Sequence, residues 1–303
     1  MEIRRAIISG ATGAIGTALC RLLVEKKIEV LVLTRPDSQR NHTILRHPLV
    51  SVRMCDFDHL DAAENDTGKD WDCFFHLAWA GTTGPGRNDM YLQDHNVKVA
   101  LDAVKMAKAF GCRKFIGAGS QAEYGRHAEK LSAETPVFPE TGYGHAKLCA
   151  GLMTRDYAHQ LGMEHNWLRI LSVFGPCEGE RSMISEAMNG FKSGVSPAFT
   201  KGEQIWDYVY SKDAAKAFLC TAKNGTDGKV YVLGSGRERP LAEYLKAMRD
   251  IVSPGLPLDL GARPYGEDQI MYLAADSSEL IKDTNYHPDY TFEDGIREML
   301  GEI

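Results

Sequence analysis

The sequence lacks the long apolar segments that membrane-spanning and exported proteins carry. No stretch of about 18 apolar residues occurs in its 303 residues, so no transmembrane helix is expected. The N-terminal residues lead directly into a strand-like segment, without the apolar run and small-residue cleavage site of a signal peptide. The seven cysteines are odd in number and include no CxxC pair, which favours free thiols over a disulfide framework or a zinc site. These absences together predict a cytoplasmic protein.

Several patterns of other enzyme and binding classes are also missing. No HExxH or other close histidine pair occurs among the ten histidines, so no metal site is predicted. No GxSxG motif is present, which disfavours a serine hydrolase. The 35 basic residues are outnumbered by 41 acidic ones, which argues against nucleic acid or a membrane surface as a partner.

The first half of the chain alternates short apolar runs with helical patterns. This alternation predicts βαβ units and therefore an α/β fold with a doubly wound, Rossmann-like parallel sheet. The runs at residues 6–9, 30–33, 49–54, 73–77, 114–118 and 167–171 are each predicted to be a buried parallel strand. Helices are predicted at residues 15–25, 90–110, 143–161, 183–192, 241–252 and 292–300, with one more beginning at 213 and a strand at 206–210.

The pattern changes near residue 175, where glycine and proline become more frequent and the elements shorter. We therefore predict a dinucleotide-binding domain over residues 1–172 and a smaller C-terminal substrate lobe over residues 173–303. Residues 205–225 are expected to return to the first domain, so that the two regions are interleaved.

A glycine-rich turn stands between the first predicted strand and the first predicted helix. A helix N-terminus presents free N–H groups and a positive dipole end, and glycines let the backbone approach a pyrophosphate closely. The alternative is an ordinary tight turn in an α/β domain that binds no nucleotide. The residues predicted to bind the cofactor here are Gly10, Thr12, Gly13, Ala14, Ile15 and Gly16.

The end of the second strand indicates which dinucleotide binds. NAD-binding folds place an acidic residue about 20 residues downstream to hydrogen-bond the ribose. Here Thr34 occupies that position and Arg35 follows it. A guanidinium can pair with a 2′-phosphate, so NADP is the favoured cofactor and Arg40 would assist. In the alternative, Arg35 is solvated, Asp37 contacts the ribose and the cofactor is NAD.

Tyr143 and Lys147 are four residues apart at the start of a predicted helix, which places the phenol and the ammonium on one face. A tyrosine is a poor base at neutral pH, but nearby positive charge would lower its pKa. Ser120 stands at the carboxyl end of a predicted strand, where parallel sheets bind ligands. These three residues are the predicted catalytic group.

The segments GATGAIG (10–16), GSQAEYG (119–125) and YGHAK (143–147) together resemble the extended short-chain dehydrogenase/reductase family. The likeness is to its NAD(P)-dependent nucleotide-sugar epimerase/dehydratase branch and covers nearly the whole chain. It implies that Ser120, Tyr143 and Lys147 are catalytic, and it places further residues near the ligands. The residues so implied are Asp56, Phe57, Leu77, Ala78, Tyr143 and Lys147 for the cofactor, and Asn96, Ser120, Gln121, Ser172 and Arg263 for the substrate.

The sequence also departs from the pattern of that branch. Dehydratases carry an acidic pair after the catalytic hydroxyl residue, but Gln121 and Ala122 stand there, so 4,6-dehydration is not expected. Trp206 replaces an arginine that the resemblance would assign to the diphosphate, and Ser172 replaces an asparagine.

The expected activity is NAD(P)-dependent oxidoreduction at a sugar carbon, C4 being the expected site, of a nucleotide sugar. A 4-ketoreductase is favoured because NADP serves biosynthetic reductions, and an NAD-dependent 4-epimerase is the alternative. A non-enzymatic dinucleotide sensor on the same fold is the alternative from another class.

A homodimer is also expected, because the two long helices at 90–110 and 143–161 carry apolar residues beyond a single stripe. Family members that resemble this chain commonly dimerise through these helices.

Overall fold

The computed structural model describes residues 1–179 and 182–302. Its strands are β1 (Arg5–Ser9), β2 (Glu29–Thr34), β3 (Val50–Met54), β4 (Cys73–His76), β5 (Lys114–Ser120), β6 (Glu164–Ile170), β7 (Ser172–Phe174), β8 (Ala198–Phe199), β9 (Ile205–Trp206), β10 (Tyr208–Tyr210), β11 (Val230–Leu233), β12 (Arg239–Pro240), β13 (Asp259–Leu260) and β14 (Tyr272–Leu273). Its α-helices are α1 (Ala14–Glu25), α2 (Met90–Ala109), α3 (Gly142–Gln160), α4 (Met183–Lys192), α5 (Ser211–Asn224), α6 (Leu241–Val252), α7 (Ser278–Thr284) and α8 (Phe292–Leu300). Short 3₁₀ helices cover Asn41–Thr43, Phe57–Ala62, Gly84–Asn88 and Gln121–Glu123.

The main sheet has seven parallel strands in the order β11-β6-β5-β4-β1-β2-β3. This order reverses direction beside β1, which creates the crevice where doubly wound sheets bind ligands. Helices α1 and α5 cover one face of the sheet, and α2 and α3 cover the other. The predicted doubly wound parallel fold is confirmed.

Two strand predictions need correction. Residues 49–54 were expected to form a buried strand, but β3 lies at the edge of the sheet and exposes Ser51, Val52 and Met54. The single strand expected at 206–210 is divided into β9 and β10, which join different sheets. The division falls at Asp207, whose buried carboxylate accepts hydrogen bonds from the Ser235 N–H and hydroxyl at 2.8 and 2.6 Å.

The C-terminal part of the chain contributes to both regions. Helix α5 packs against α1, and β11 pairs with β6 as the seventh strand, which the sequence analysis did not predict. Strands β7 and β10 pair in parallel beside the main sheet. A separate aromatic and aliphatic core unites α4, α6 and α8. The boundary between the two predicted domains stays a prediction.

The apolar residues that suggested a dimer are mostly used within the chain. Four apolar residues of α2 are buried against the sheet and α3 and are not available for a subunit contact: Val97, Val99, Val104 and Met106. On α3, Leu152 and Met153 are 45% and 44% exposed and remain available for a contact.

Candidate active site

The glycine turn after β1 is held by close backbone contacts. Gly10 has φ +79°, and a Cβ there would lie 2.6 Å from the Ala78 nitrogen. A Cβ on Gly16 would lie 2.2 Å from the Gly10 carbonyl oxygen, so the first turn of α1 packs directly on the turn. Gly13 caps α1 without offering a side-chain acceptor to the first-turn N–H groups. The N-terminus of α1, including Ala14 and Ile15, therefore presents unpaired donors, as an anion site requires.

A cleft of ≈ 340 Å³ opens at this turn, within the size range of small-molecule sites. It extends from the turn past the end of β2 and along the start of α2. The residues that line it are Gly10, Ala11, Thr12, Leu33, Thr34, Arg35, Ser38, Arg40, Phe57, Asp58, Ala78, Trp79, Ala80, Leu92, His95, Asn96 and Val99.

One end of the cleft is basic. Arg35, Ser38 and Arg40 line it together, and Arg40 also donates to the carbonyl of Cys177. Asp37 does not line the cleft, and its carboxylate lies 3.9 Å from Nε of Arg35. The two guanidinium groups and the hydroxyl at this end can donate to phosphate oxygens.

Other predicted cofactor residues are placed less directly. Phe57 and Ala78 line the cleft, whereas Asp56 is exposed and its carboxylate accepts from the Asp58 N–H at 2.9 Å. Leu77 is half-buried and packs against Gly10. The carboxylate that lines the cleft here is Asp58, which pairs with His95 over 2.8 Å.

The three predicted catalytic residues come together at the carboxyl end of β5. Ser120 ends β5, and Tyr143 and Lys147 occupy the first turns of α3, so all three side chains are buried. The Lys147 ammonium donates to the Ala118 carbonyl over 2.6 Å and lies 5.8 Å from the Tyr143 ring centre.

The pKa values of the pair are set mainly by burial. Burial lowers the pKa of Lys147 to about 7, because a desolvated ammonium loses its hydration, while the charge of Glu123 opposes this. Burial raises the pKa of Tyr143 above its usual value, and the Ser120 hydroxyl and the Arg87 charge oppose that rise. From the sequence, Lys147 is predicted to lower the pKa of Tyr143. In the structure Ser120 and Arg87 act in that direction on the pKa of Tyr143, and the Lys147 ammonium donates to the Ala118 carbonyl.

Trp79 connects the cleft to the catalytic group. Its ring lies 3.7 Å from the Lys147 ammonium on one side, while the side chain lines the cleft. Its indole N–H donates to Gln93 over 2.8 Å. Asn96, predicted to contact substrate, accepts from the Ala80 N–H at 3.0 Å and donates to its carbonyl at 2.9 Å. Both residues of α2 thus fix the segment that follows β4.

Glu123 is a buried carboxylate that sequence reasoning missed, although it lies within the GSQAEYG segment. One oxygen accepts from the Ser120 N–H at 2.8 Å and from the Trp167 indole at 3.0 Å. The other accepts from Arg169 at 2.7 Å, and both members of this ion pair are buried. Gly119 leaves the necessary space, because a Cβ there would lie 2.6 Å from the carboxylate.

The predicted substrate residues are spread more widely. Gln121 is half-buried at the start of the 3₁₀ helix after Ser120. Ser172 begins β7, and its hydroxyl accepts from the Trp206 indole at 2.7 Å. Arg263 is exposed and does not line the cleft; its backbone N–H donates to the Phe199 carbonyl at 3.0 Å.

Two further properties concern residues 1–179 and 182–302 only. Within these ranges no helix combines the length and apolar character needed to cross a bilayer. No group of three or more His, Cys, Asp or Glu side chains within them is arranged to hold a metal ion.

The residues at the cleft fit a dinucleotide. Because Gly10 and Gly16 have no Cβ, the turn and the N-terminus of α1 lie in direct contact. The backbone N–H donors of this N-terminus have no side-chain acceptor and face the anion position. The basic end formed by Arg35 and Arg40 lies on the same cleft.

Comparison with known proteins extends this assignment. The profile of the NAD dependent epimerase/dehydratase family matches residues 6–234. The chain is 24% identical over 310 residues to CDP-abequose synthase of Salmonella typhimurium, covering 98% of this chain and 97% of that protein.

Solved structures share the whole fold. The UDP-N-acetylglucosamine 4-epimerase from Methanobrevibacter ruminantium M1, in complex with UDP-N-acetylmuramic acid, superposes with a TM-score of 0.88 at 23% identity. That similarity covers 100% of this chain and 98% of the epimerase. The UDP-glucuronic acid 4-epimerase from Bacillus cereus, in complex with NAD, has a TM-score of 0.83 at 18% identity, covering 98% of both chains.

Proposed function

Because the chain belongs to the NAD dependent epimerase/dehydratase family and is an enzyme of the extended short-chain dehydrogenase/reductase type, we propose that it oxidises or reduces a sugar carbon of a nucleotide sugar. The observation that carries this proposal is the buried group of Ser120, Tyr143 and Lys147, which contacts Trp79 in the lining of a cleft that fits a dinucleotide.

Each residue of the group has a distinct task in this proposal. A bound nicotinamide dinucleotide would supply the hydride donor or acceptor. Tyr143 would give its phenol proton to a keto oxygen, or take a proton from a hydroxyl. Ser120 would hydrogen-bond the same oxygen, and Lys147 would hold the cofactor and keep positive charge near Tyr143. Burial of all three excludes water from the proton transfer.

We propose NADP as the preferred cofactor. The support is the basic end of the cleft, where Arg35, Ser38 and Arg40 lie together and Asp37 lies outside the lining. NAD is the second candidate, and the complex of the Bacillus cereus epimerase with NAD favours it.

We propose that the reaction is reduction of a 4-keto group. Dehydration needs a carboxylate to remove a sugar proton. Gln121 and Ala122 supply none, and both oxygens of Glu123 are already bound to Ser120, Trp167 and Arg169. An exchangeable NADP favours net reduction over epimerisation. The second candidate, 4-epimerisation, is supported by the activities for which the compared structures are named.

The substrate and the assembly follow from the same proposal. The complex of the Methanobrevibacter ruminantium epimerase contains UDP-N-acetylmuramic acid, which supports a nucleotide sugar as substrate. We also propose a homodimer through α2 and α3, for which Leu152 and Met153 offer exposed apolar surface. A cytoplasmic location is proposed as well, and it is supported by seven cysteines that are all unbridged.

The stoichiometry of cofactor use tests the proposed reaction. The purified enzyme is incubated with nucleotide-4-ketohexoses and NADPH, and oxidised cofactor is compared with sugar product. One NADPH consumed per sugar supports the 4-ketoreductase. Interconversion of two hexose epimers without net cofactor consumption establishes the epimerase instead. Cofactor binding without hydride transfer to any nucleotide sugar would contradict both and favour a sensor.

A further inference from the structure

The segment between β4 and α2 is docked on the N-terminus of α3. We call residues 81–89 the entry loop. The side-chain oxygen of Asn88 accepts from the Gly142 N–H over 3.0 Å, one residue before Tyr143. The backbone packs closely here, since a Cβ on Gly142 would lie 3.1 Å from the Arg87 carbonyl oxygen. The entry loop is therefore fixed directly beside the catalytic tyrosine.

The entry loop is also held from inside by α2. Gln93 is 1% exposed, and its amide nitrogen donates to the carbonyls of Gly81 at 3.0 Å and Gly86 at 2.8 Å. The same side chain accepts from the Trp79 indole, which lies against the Lys147 ammonium. One buried amide thus positions both the aromatic partner of Lys147 and the loop that faces Tyr143.

Arg87 is the residue that this loop presents to the catalytic group. Its guanidinium carbon lies 4.4 Å from the centre of the Tyr143 ring, and Nη1 donates to the Thr82 carbonyl over 2.9 Å. The side chain is half-buried, so its charge is only partly screened by water. A cation at this distance attracts a neutral aromatic ring weakly and a phenolate strongly.

We propose that Arg87 is a positioning residue that stabilises the phenolate form of Tyr143 from the face of its ring, held there by the contacts of Asn88 and Gln93. This inference rests on the proposed role of Tyr143 in proton transfer. It explains how a positive charge lies close to the Tyr143 ring although the Lys147 ammonium is directed to Ala118 and Trp79.

Other groups that face Tyr143 also affect its ionisation. Ser120, at the end of β5, stabilises the phenolate by hydrogen bonding, and Glu123, on the following 3₁₀ helix, opposes it by negative charge. Lys147 lies on α3, as Tyr143 does, and its ammonium is 5.8 Å from the centre of the Tyr143 ring. Arg169 of β6 neutralises Glu123. Arg87 therefore adds positive charge near Tyr143, where the charges of Lys147 and Glu123 otherwise oppose each other.

Titration of Tyr143 tests the proposal without any substrate. Protein containing tyrosine labelled with ¹³C at Cζ is titrated by NMR with NADP⁺ bound, and the Tyr143 signal is assigned by its loss in Tyr143→Phe. Arg87→Gln is expected to raise the pH of ionisation by about one unit, and Arg87→Met by a similar amount. Arg87→Lys should stay nearer the wild type because it keeps the charge. Arg21→Gln, which removes a cation on the exposed side of α1, is the matched control and should change nothing.

The outcomes separate this inference from the proposed function. An unchanged titration in Arg87→Gln and Arg87→Met overturns the role of Arg87, and so does an equal shift in Arg87→Lys. If nucleotide sugars are turned over, the pH profile of kcat/KM should move to higher pH in Arg87→Gln. A rise in KM with an unmoved profile assigns Arg87 to substrate binding and overturns the proposal. Absence of turnover contradicts the proposed function, while the titration still decides the effect of Arg87 on Tyr143.

Discussion

The indole N–H of Trp206 donates a hydrogen bond to the hydroxyl of Ser172 over 2.7 Å. This hydrogen bond joins β9 to β7 in the C-terminal part of the chain. These are the two positions where the sequence departs from the arginine and the asparagine that its resemblance suggests. The two departures are thus in direct contact, and a neutral pair stands where a cation and an amide were expected.

Ser172→Ala is expected to raise KM for the nucleotide sugar. The hydroxyl accepts from Trp206 and can donate its own proton to a substrate oxygen, and loss of one such bond costs about 1 kcal/mol, or roughly fivefold in affinity. Trp206→Phe, which keeps the ring but removes the donor, should give a smaller rise. Initial-rate kinetics measure both variants, and an unchanged KM in Ser172→Ala would remove this residue from the substrate site.

Arg35→Ala is expected to weaken NADP binding by roughly tenfold to a hundredfold, because a charged hydrogen bond to a 2′-phosphate is lost, and to leave NAD binding nearly unchanged. Asp37→Ala is the matched variant. It should strengthen NADP binding slightly by removing the carboxylate 3.9 Å from Arg35. Calorimetric titration with both cofactors measures the effects. A wild type that prefers NAD, with NAD binding lost in Asp37→Ala, would refute the NADP proposal.

Acid is expected to destabilise the fold through its buried histidines. Burial lowers the pKa of His76 and of His165 to about 3, against about 6.5 in an unfolded chain. Above pH 6.5 both states are neutral and folding gains nothing from pH. Between pH 6.5 and 3 the unfolded state takes up protons that the folded state refuses, so the free energy of unfolding falls as pH falls.

His165→Phe isolates one of these contributions. The ring lies between Phe115 and Trp167, with centroids at 5.9 and 6.2 Å, and a phenylalanine can keep that stacking. The loss of stability between pH 7 and pH 4 should shrink by about 3 kcal/mol relative to wild type. Urea unfolding at the two pH values measures this difference. Parallel pH dependence in wild type and variant would show that His165 is not the titrating group.

Glu123→Gln is expected to lower the free energy of unfolding by about 3–5 kcal/mol, because it leaves the buried Arg169 charge without its partner. Glu140→Gln breaks the pair with Arg126, which is exposed on both sides, and should have a far smaller effect. Denaturant unfolding of the two variants provides the comparison. Equal losses of unfolding free energy in the two variants would mean that the buried Glu123–Arg169 pair stabilises the fold no more than the exposed pair does.

Most of the main sheet could be predicted from the sequence, because buried parallel strands are short apolar runs that separate helical patterns. The exposure of β3 could not, since Val52 and Met54 resemble core residues until the strand order places them at an edge. The interruption at Asp207 also depends on distant partners. Its carboxylate binds the turn at Ser235, a contact that local periodicity does not contain.

The candidate site could also be predicted only in part from the sequence. Motif spacing predicts Ser120, Tyr143 and Lys147 as one group, because each lies at a fixed offset from a strand or helix end. Arg87 and Trp79 were not predicted as functional residues. Their positions depend on the buried amide of Gln93, which no short motif identifies.

The proposed function requires that Tyr143 transfer a proton during hydride exchange with a nucleotide sugar. The most direct test compares wild type with Tyr143→Phe by following the absorbance of reduced nicotinamide, while cofactor binding is measured in the same samples. We expect cofactor affinity to stay within experimental error and turnover to fall by about 100-fold or more, as loss of a general acid or base requires. Turnover near that of the wild type, with cofactor bound equally well, would rule out proton transfer by Tyr143.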